Sequence, residues 1–305
     1  MDLHTYLSAV GYGIMTRQRQ VDDLLDGIVI DAVAKNRIKI DENNPLPDGQ
    51  YEAEVRKNLL TDSFGDAVGN IVIRGLYNPA IRVFSRQFYY PEITGGIFND
   101  IETDVELERE RDRDVYLVHC DSIGNELEPI FFLSNSFDFV KENGRVEKLR
   151  NRIVNLAGLS VAGEIILPIN KTDEQKSRQN LDFKKRLRLV KEVRGGNENA
   201  ASQLSLIDYS AIESICRRVQ DTDLYSVVDT SFVPSGMECD TYKIIGNILN
   251  YELINCKTTG EKVYYLELDC NNERINVAIN AGSLQGMPAK GFRFVGRVWL
   301  QGRIS

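Results

Sequence analysis

The sequence predicts an α+β protein in three parts. These are an α+β region with an antiparallel sheet over residues 1–170, a helical connecting region over 171–236, and a small OB-like antiparallel β-barrel over 237–305. Three observations predict it. Between Tyr51 and Pro168, short alternating apolar stretches are separated by turn-forming residues. From Lys171 to Gln220 the chain turns polar, with apolar residues three and four apart. After Met237 alternation resumes, with Gly246, Gly260, Gly286, Gly291, Gly296 and Gly302 placed where a small barrel curves tightly.

Taken in order, Leu3, Tyr6, Leu7 and Val10 fall at helical spacing, and Gly11 and Gly13 stop the turn. Val21, Leu24, Leu25 and Ile28 mark one face of a second helix, and 43–49 is a turn by composition. Strands are expected at 51–58, 69–76, 80–90, 115–120, 127–134 and 164–169. Val146, Leu149, Ile153 and Leu156 read as a helix. Asn180 or Asp182 caps a helix carrying Leu187, Val190 and Val193, which Gly195-Gly196 ends, and two further helices follow at 197–204 and 208–219. The segment 231–236 is the best domain boundary. Four to five strands complete the chain, with turns at 258–261 and Asn271-Asn272. No internal repeat and no low-complexity tract is evident.

Composition sets the class. A hydrophobic share of 42% and a charged share of 27% match soluble globular proteins, and a formal net charge of −8 works against a generic grip on polyanions. No apolar run approaches the ~20 residues needed to cross a bilayer. The first residues lack a basic stretch followed by an apolar one, so a cytoplasmic location is expected. The cysteines, Cys120, Cys216, Cys239, Cys256 and Cys270, show no CxxC spacing and fit reduced thiols.

Three stretches carry a resemblance. The segments 223–230 (DLYSVVDT) and 234–242 (PSGMECDTY), together with the closing 291–302 (GFRFVGRVWLQG), resemble an uncharacterised bacterial family of unknown function, about this length, from clostridia and their relatives. The resemblance implies no activity, cofactor or catalytic residue.

Candidate chemistry is sparse. Asp104, Glu106, Glu108, Glu110, Asp112 and Asp114 occupy even positions with arginines between them. On a strand they line one face, and on a helix they form i,i+3 pairs. A solvated charged segment is the expectation for either. Lys184, Lys185 and Arg186 open a basic run to Arg194 that could meet phosphates. Tyr251, Tyr265, Phe294 and Trp299 could form a stacking face, but Glu252, Glu261, Glu267, Asp269 and Glu273 surround them and would repel a nucleic-acid backbone. Trp299, beside Arg297, is the best single interface candidate. Only His4 and His119 are available as neutral-pH bases, and no zinc, kinase or phosphate-loop motif occurs.

The expectation is therefore a non-catalytic protein without metal or cofactor that binds another protein, with a homo-oligomer left open. A nucleic-acid binder using the barrel and the 184–194 helix is the first alternative. An enzyme with an unrecognised carboxylate site is the second. The binding residues named are Trp299, Arg297, Phe294, Tyr265, Lys184, Lys185 and Arg186.

Overall fold

A computed structural model describes residues 4–14, 17–94, 101–109, 115–121, 128–169, 228–271 and 273–305, with thirteen scattered positions between 185 and 206. It is dominated by strands arranged in two large sheets. A 3-10 turn, Thr5–Val10, opens the chain and buries Tyr6, Leu7, Ala9 and Val10. Helix α1 (Gln18–Ala34) buries Val21, Leu25, Ile28 and Ala32 at the spacing expected of one helix face. No helix among the described residues is long and apolar enough to cross a membrane.

The first sheet is four-stranded and antiparallel, in the order β1 (Lys39–Ile40), β2 (Tyr51–Thr61), β3 (Ala67–Asn78), β4 (Val83–Ile93). Helix α1 lies over β2 and β4, where Arg86 pairs with Asp22 at 2.8 Å. Strand β3 is buried along nearly its whole length because both faces of the sheet are covered.

The second sheet holds β5 (Ile101–Arg109), β6 (Tyr116–Cys120), β7 (Ile130–Leu133), β8 (Lys148–Ile166), β9 (Ser231–Pro234), β10 (Thr241–Asn255), β11 (Lys262–Cys270), β12 (Glu273–Asn280), β13 (Leu284–Gln285) and β14 (Arg293–Ile304). Helix α2 (Ser136–Asn143) joins β7 to β8. The pairings close twice. Ring A runs β8–β5–β6–β7–β14 and back to β8, with only β7–β14 parallel. Ring B runs β14–β10–β11–β12–β8 and back to β14, with only β12–β8 parallel. Strands β8 and β14 are shared, and each serves one ring with each half.

The two rings repeat one plan. Three consecutive strands are followed by a fourth that pairs back on the first and then crosses into the other ring. Residue registers agree through most of the circuit, apart from a shift between Thr103 and Val105 in ring A and one between Ile248 and Asn250 in ring B. Thr103, Val105 and Leu107 correspond to Ile244, Gly246 and Ile248, and Tyr116, Val118 and Cys120 to Leu266, Leu268 and Cys270. Phe131 and Leu133 correspond to Ile275 and Val277, and all of these residues are buried. Val154, Leu156 and Gly158 correspond to Val298, Leu300 and Gly302, identical at all three places. The parallel pair Phe132–Gln301 then maps onto Asn276–Ala157, and Ala157 and Gln301 are themselves paired, so the pseudo-dyad passes between them. The chain therefore contains the internal repeat that the sequence alone did not reveal. Gly158 and Gly302 are required by close approach: an added Cβ would strike Val298 at the first and the Phe131 ring at the second.

Three expectations are corrected. The fold is mostly β, in two sheets, and does not divide into an α+β region and an OB-like barrel: β10, β11, β12 and β14 close only by taking β8 from the first half, in parallel with β12. No helical middle domain is found among the described residues, where positions such as Lys185, Arg188 and Leu189 are helical but 170–184 and 207–227 lie outside the description. The helix expected at 146–156 is strand β8. Its spacing of three and four was coincident with a two-residue period through Val154, Leu156 and Gly158, and long-range pairing on both edges overrides local pattern.

Two cores result. One fills the rings, with Val118, Phe131, Val154 and Leu156 in ring A and Ile244, Leu268, Val277 and Phe294 in ring B. The other lies between the rings' outer face and the four-stranded sheet, with Trp299, Leu159 and Phe132 against Val72, Tyr90, Tyr6 and Leu60.

Candidate binding surfaces at the ring ends

At the ends of the rings, the repeated plan carries different side chains. In ring A, β5 and β6 outrun β8, whose pairing with β5 ends at Glu106–Lys148. A cavity of about 700 Å3 opens there, lined by Glu106, Glu108, Arg109, Tyr116, His119 and Arg145 among others. Glu106 sits 3.0 Å from Lys148, and His119 Nε2 sits 3.4 Å from Glu108 Oε2. Strand alternation explains the charge: Val105 and Leu107 point into the ring, so Glu106 and Glu108 point out. This settles the acidic segment as a strand as far as Arg109, and 110–114 lie outside the described residues. The His119 and Glu108 side chains are 41% and 72% exposed, so water competes for this contact. Cys120, on the opposite face of β6, is buried, and that burial pushes its thiol up to about 12.

The matching end of ring B is apolar. Asn247, Asn250 and Tyr251 stand where ring A has Glu106, Glu108 and Arg109, Leu249 is the extra residue, and Asp269 stands where ring A has His119. A register shift between Ile248 and Asn250 flares the β10–β11 hairpin away from the ring. Leu249, Tyr251 and Leu253 are exposed there at 37%, 40% and 43%, with Tyr251 edge-on to Tyr264 at 6.4 Å. Ser63, on the loop from β2 to β3, reaches Glu252 at 3.3 Å beside this patch, and the neighbouring Phe64 is exposed.

The residues singled out from sequence do not form one surface. Trp299 is fully buried. It donates from Nε1 to Asp240 Oδ2 at 2.8 Å, and its ring lies 5.2 Å from both Tyr6 and Phe132. Burial raises the Asp240 carboxyl that accepts this bond. Phe294 is fully buried inside ring B. Tyr265 is half-buried and donates to the Thr94 carbonyl at 2.7 Å. Arg297 is exposed and donates to the Ser235 carbonyl at 3.3 Å. Lys185 is exposed, while Lys184 and Arg186 lie outside the described residues. Among the described residues no group of three or more His, Cys, Asp or Glu could hold a metal ion.

A buried ionic network, unread from the sequence, joins the four-stranded sheet to ring A. Glu54 and Glu92 are almost wholly buried. Arg56 reaches Glu92 at 2.7 Å and Glu54 at 3.2 Å, and Asn70 donates to Glu92 at 2.9 Å. Arg74 donates to Ser136 Oγ at 3.2 Å and lies over the Phe137 ring of α2. Tyr90 donates to the Ser134 carbonyl at 2.9 Å. Burial raises the Glu54 carboxyl against the opposing pull of Arg56 and Arg74. Arg56 is held above its usual value because Glu92 and Glu54 outweigh its desolvation.

A family model described as "Domain of unknown function, E. rectale Gene description (DUF3881)" matches residues 7–302. No curated protein and no solved structure matches the chain.

Proposed function

Because the chain belongs to this family of unknown function, whose description carries no activity, we propose from the geometry that it is a non-catalytic docking protein that engages another protein through the flared β10–β11 hairpin. The observation that carries the reading is the contrast between equivalent ring ends. One backbone plan presents charge on ring A and a row of large apolar side chains, Leu249, Tyr251 and Leu253, on ring B. The apolar row contributes little to the cores, since its members are more than a third exposed. Contiguous exposed apolar residues with a tyrosine are characteristic of contact surfaces.

The acidic residues near the hairpin, Glu252 and Glu267, disfavour a nucleic-acid backbone as the occupant. The test is capture of partners by the tagged full-length protein and by Tyr251→Asp/Leu253→Asp, with and without nuclease. A partner protein retained by the parent and lost by the variant supports the reading. Equal capture by both, or capture abolished by nuclease, overturns it.

A further inference from the structure

We infer that the cavity between α2 and the adjoining ends of β8 and β14 binds a small oxyanion with two or more negative charges, gripped by Arg152 and Arg303. The cavity measures about 510 Å3, and its polar lining includes Lys39, Asn135, Asp138, Arg152 and Arg303. Most of these groups are already committed. Lys39 holds both oxygens of Asp138, at 2.8 and 3.1 Å. Asn135 donates to the Ile304 carbonyl and accepts from the Ile304 amide. Glu142 also lines the cavity, from an exposed position at its rim.

The two arginines are not so committed. Arg152 Nε is shielded from solvent and has no hydrogen-bond partner. Arg303 stands 3.7 Å from Glu92 Oε1, beyond hydrogen-bond reach, and that buried oxygen is itself without a hydrogen bond. Two guanidinium groups therefore line one cavity, one with an unpaired buried Nε and the other with a carboxylate partner beyond hydrogen-bond reach. A guanidinium fork matches the oxygen spacing of a phosphate or carboxylate, and the match is bidentate.

Charge and position agree with this. Among the side chains that line the cavity, Lys39, Arg152 and Arg303 stand against Asp138 and Glu142, an excess of one positive charge in a protein of net −8. The repeat supplies a second observation. Gly296 and Leu159 occupy the positions in the other ring that correspond to Arg152 and Arg303, so the arginine pair is not part of the plan that closes the rings.

The test is titration of the full-length protein with sodium phosphate and with sodium malonate, against sodium chloride at matched ionic strength, read by calorimetry and by thermal unfolding. A saturable rise in melting temperature with either oxyanion is expected, and the one that acts identifies the preferred geometry. Arg152→Gln, which leaves the Glu92 contact intact, should weaken binding at least tenfold with an unchanged melting temperature in the absence of ligand. Arg303→Lys keeps the charge opposite Glu92 and removes the fork, and should weaken binding severalfold. No saturable response beyond chloride overturns the inference, and so does an equal response in both variants.

Discussion

Ring B meets the four-stranded sheet through aliphatic side chains, with Ile254, Val263 and Ala278 in one core with Leu59 and Leu60 of β2. Ring A meets the same sheet through Phe132 on Tyr90 and adds polar and ionic contacts, with Arg74 on Ser136 and Arg303 opposite Glu92. The two seams respond differently to damage. An aliphatic seam loses stability in proportion to the volume removed. A buried ionic seam fails sharply, because removing one partner strands the other in a medium that does not solvate it.

The largest expected effect tests that difference directly. Glu92→Gln leaves Arg56 with Glu54 alone and Arg303 with no carboxylate, and should cost about 3–5 kcal/mol. Ile254→Val in the other seam should cost about 1 kcal/mol. Urea unfolding of both variants measures the gap, and equal losses would break the contrast.

Next in size is the equivalence of the crossing strands. Gly158→Val and Gly302→Val each overfill a ring and should each cost at least about 1–3 kcal/mol. Similar losses sharpen the repeat, whereas a neutral substitution at either site breaks it.

A smaller effect separates the rings by pH. Glu273, at the start of β12, is raised from 4.5 to about 7, first by burial and then by the neighbouring Asp269. Between those values the folded protein keeps a proton that the unfolded chain releases, so stability falls as pH rises from about 4.5 to about 7 and levels off above. Discounted for solvent screening, the fall is about 1 kcal/mol. Pro129 occupies the corresponding place in ring A, so Glu273→Gln should flatten the slope in pH-dependent urea melts. The smallest effect is at the hairpin, where Tyr251→Ser/Leu253→Ser should shift stability by no more than about 0.5 kcal/mol.

Individual strands were legible where the pattern is local. The alternations through Tyr116–Cys120 and Ile275–Ile279 name ring strands correctly because the ring-facing positions are all large or apolar while His119 and Asn276 mark the other face. The rings themselves were not legible. The pairings β8–β12 and β7–β14 join residues more than a hundred positions apart, and no local signal specifies them. One trace of the repeat did stand in the sequence, the spacing Val154-x-Leu156-x-Gly158 echoed by Val298-x-Leu300-x-Gly302. The opposing strands conserve burial more than identity, as Tyr116 against Leu266 shows, so the trace is short.

The aromatic residues weighed from the sequence as a stacking face lie apart from one another for a related reason. Alternation places Phe294 inside a ring and Trp299 outside it, and the four-stranded sheet then covers the outside. The oxyanion pocket draws Arg152 and Arg303 from two crossing strands, so neither residue carries a recognisable neighbourhood in the sequence.

The shared strands also set when this protein can fold. Ring A needs β14 and ring B needs β8, so a nascent chain that has emerged only through β8 holds four of ring A's five strands and an open seam between β7 and β8. Neither ring can close before β14 has left the ribosome. Such long-range closure is slow, and until it occurs the unpaired edges of β5 to β8 are exposed to other chains. Yield in cells should therefore depend on chaperone supply more steeply than the stability of the finished molecule would indicate.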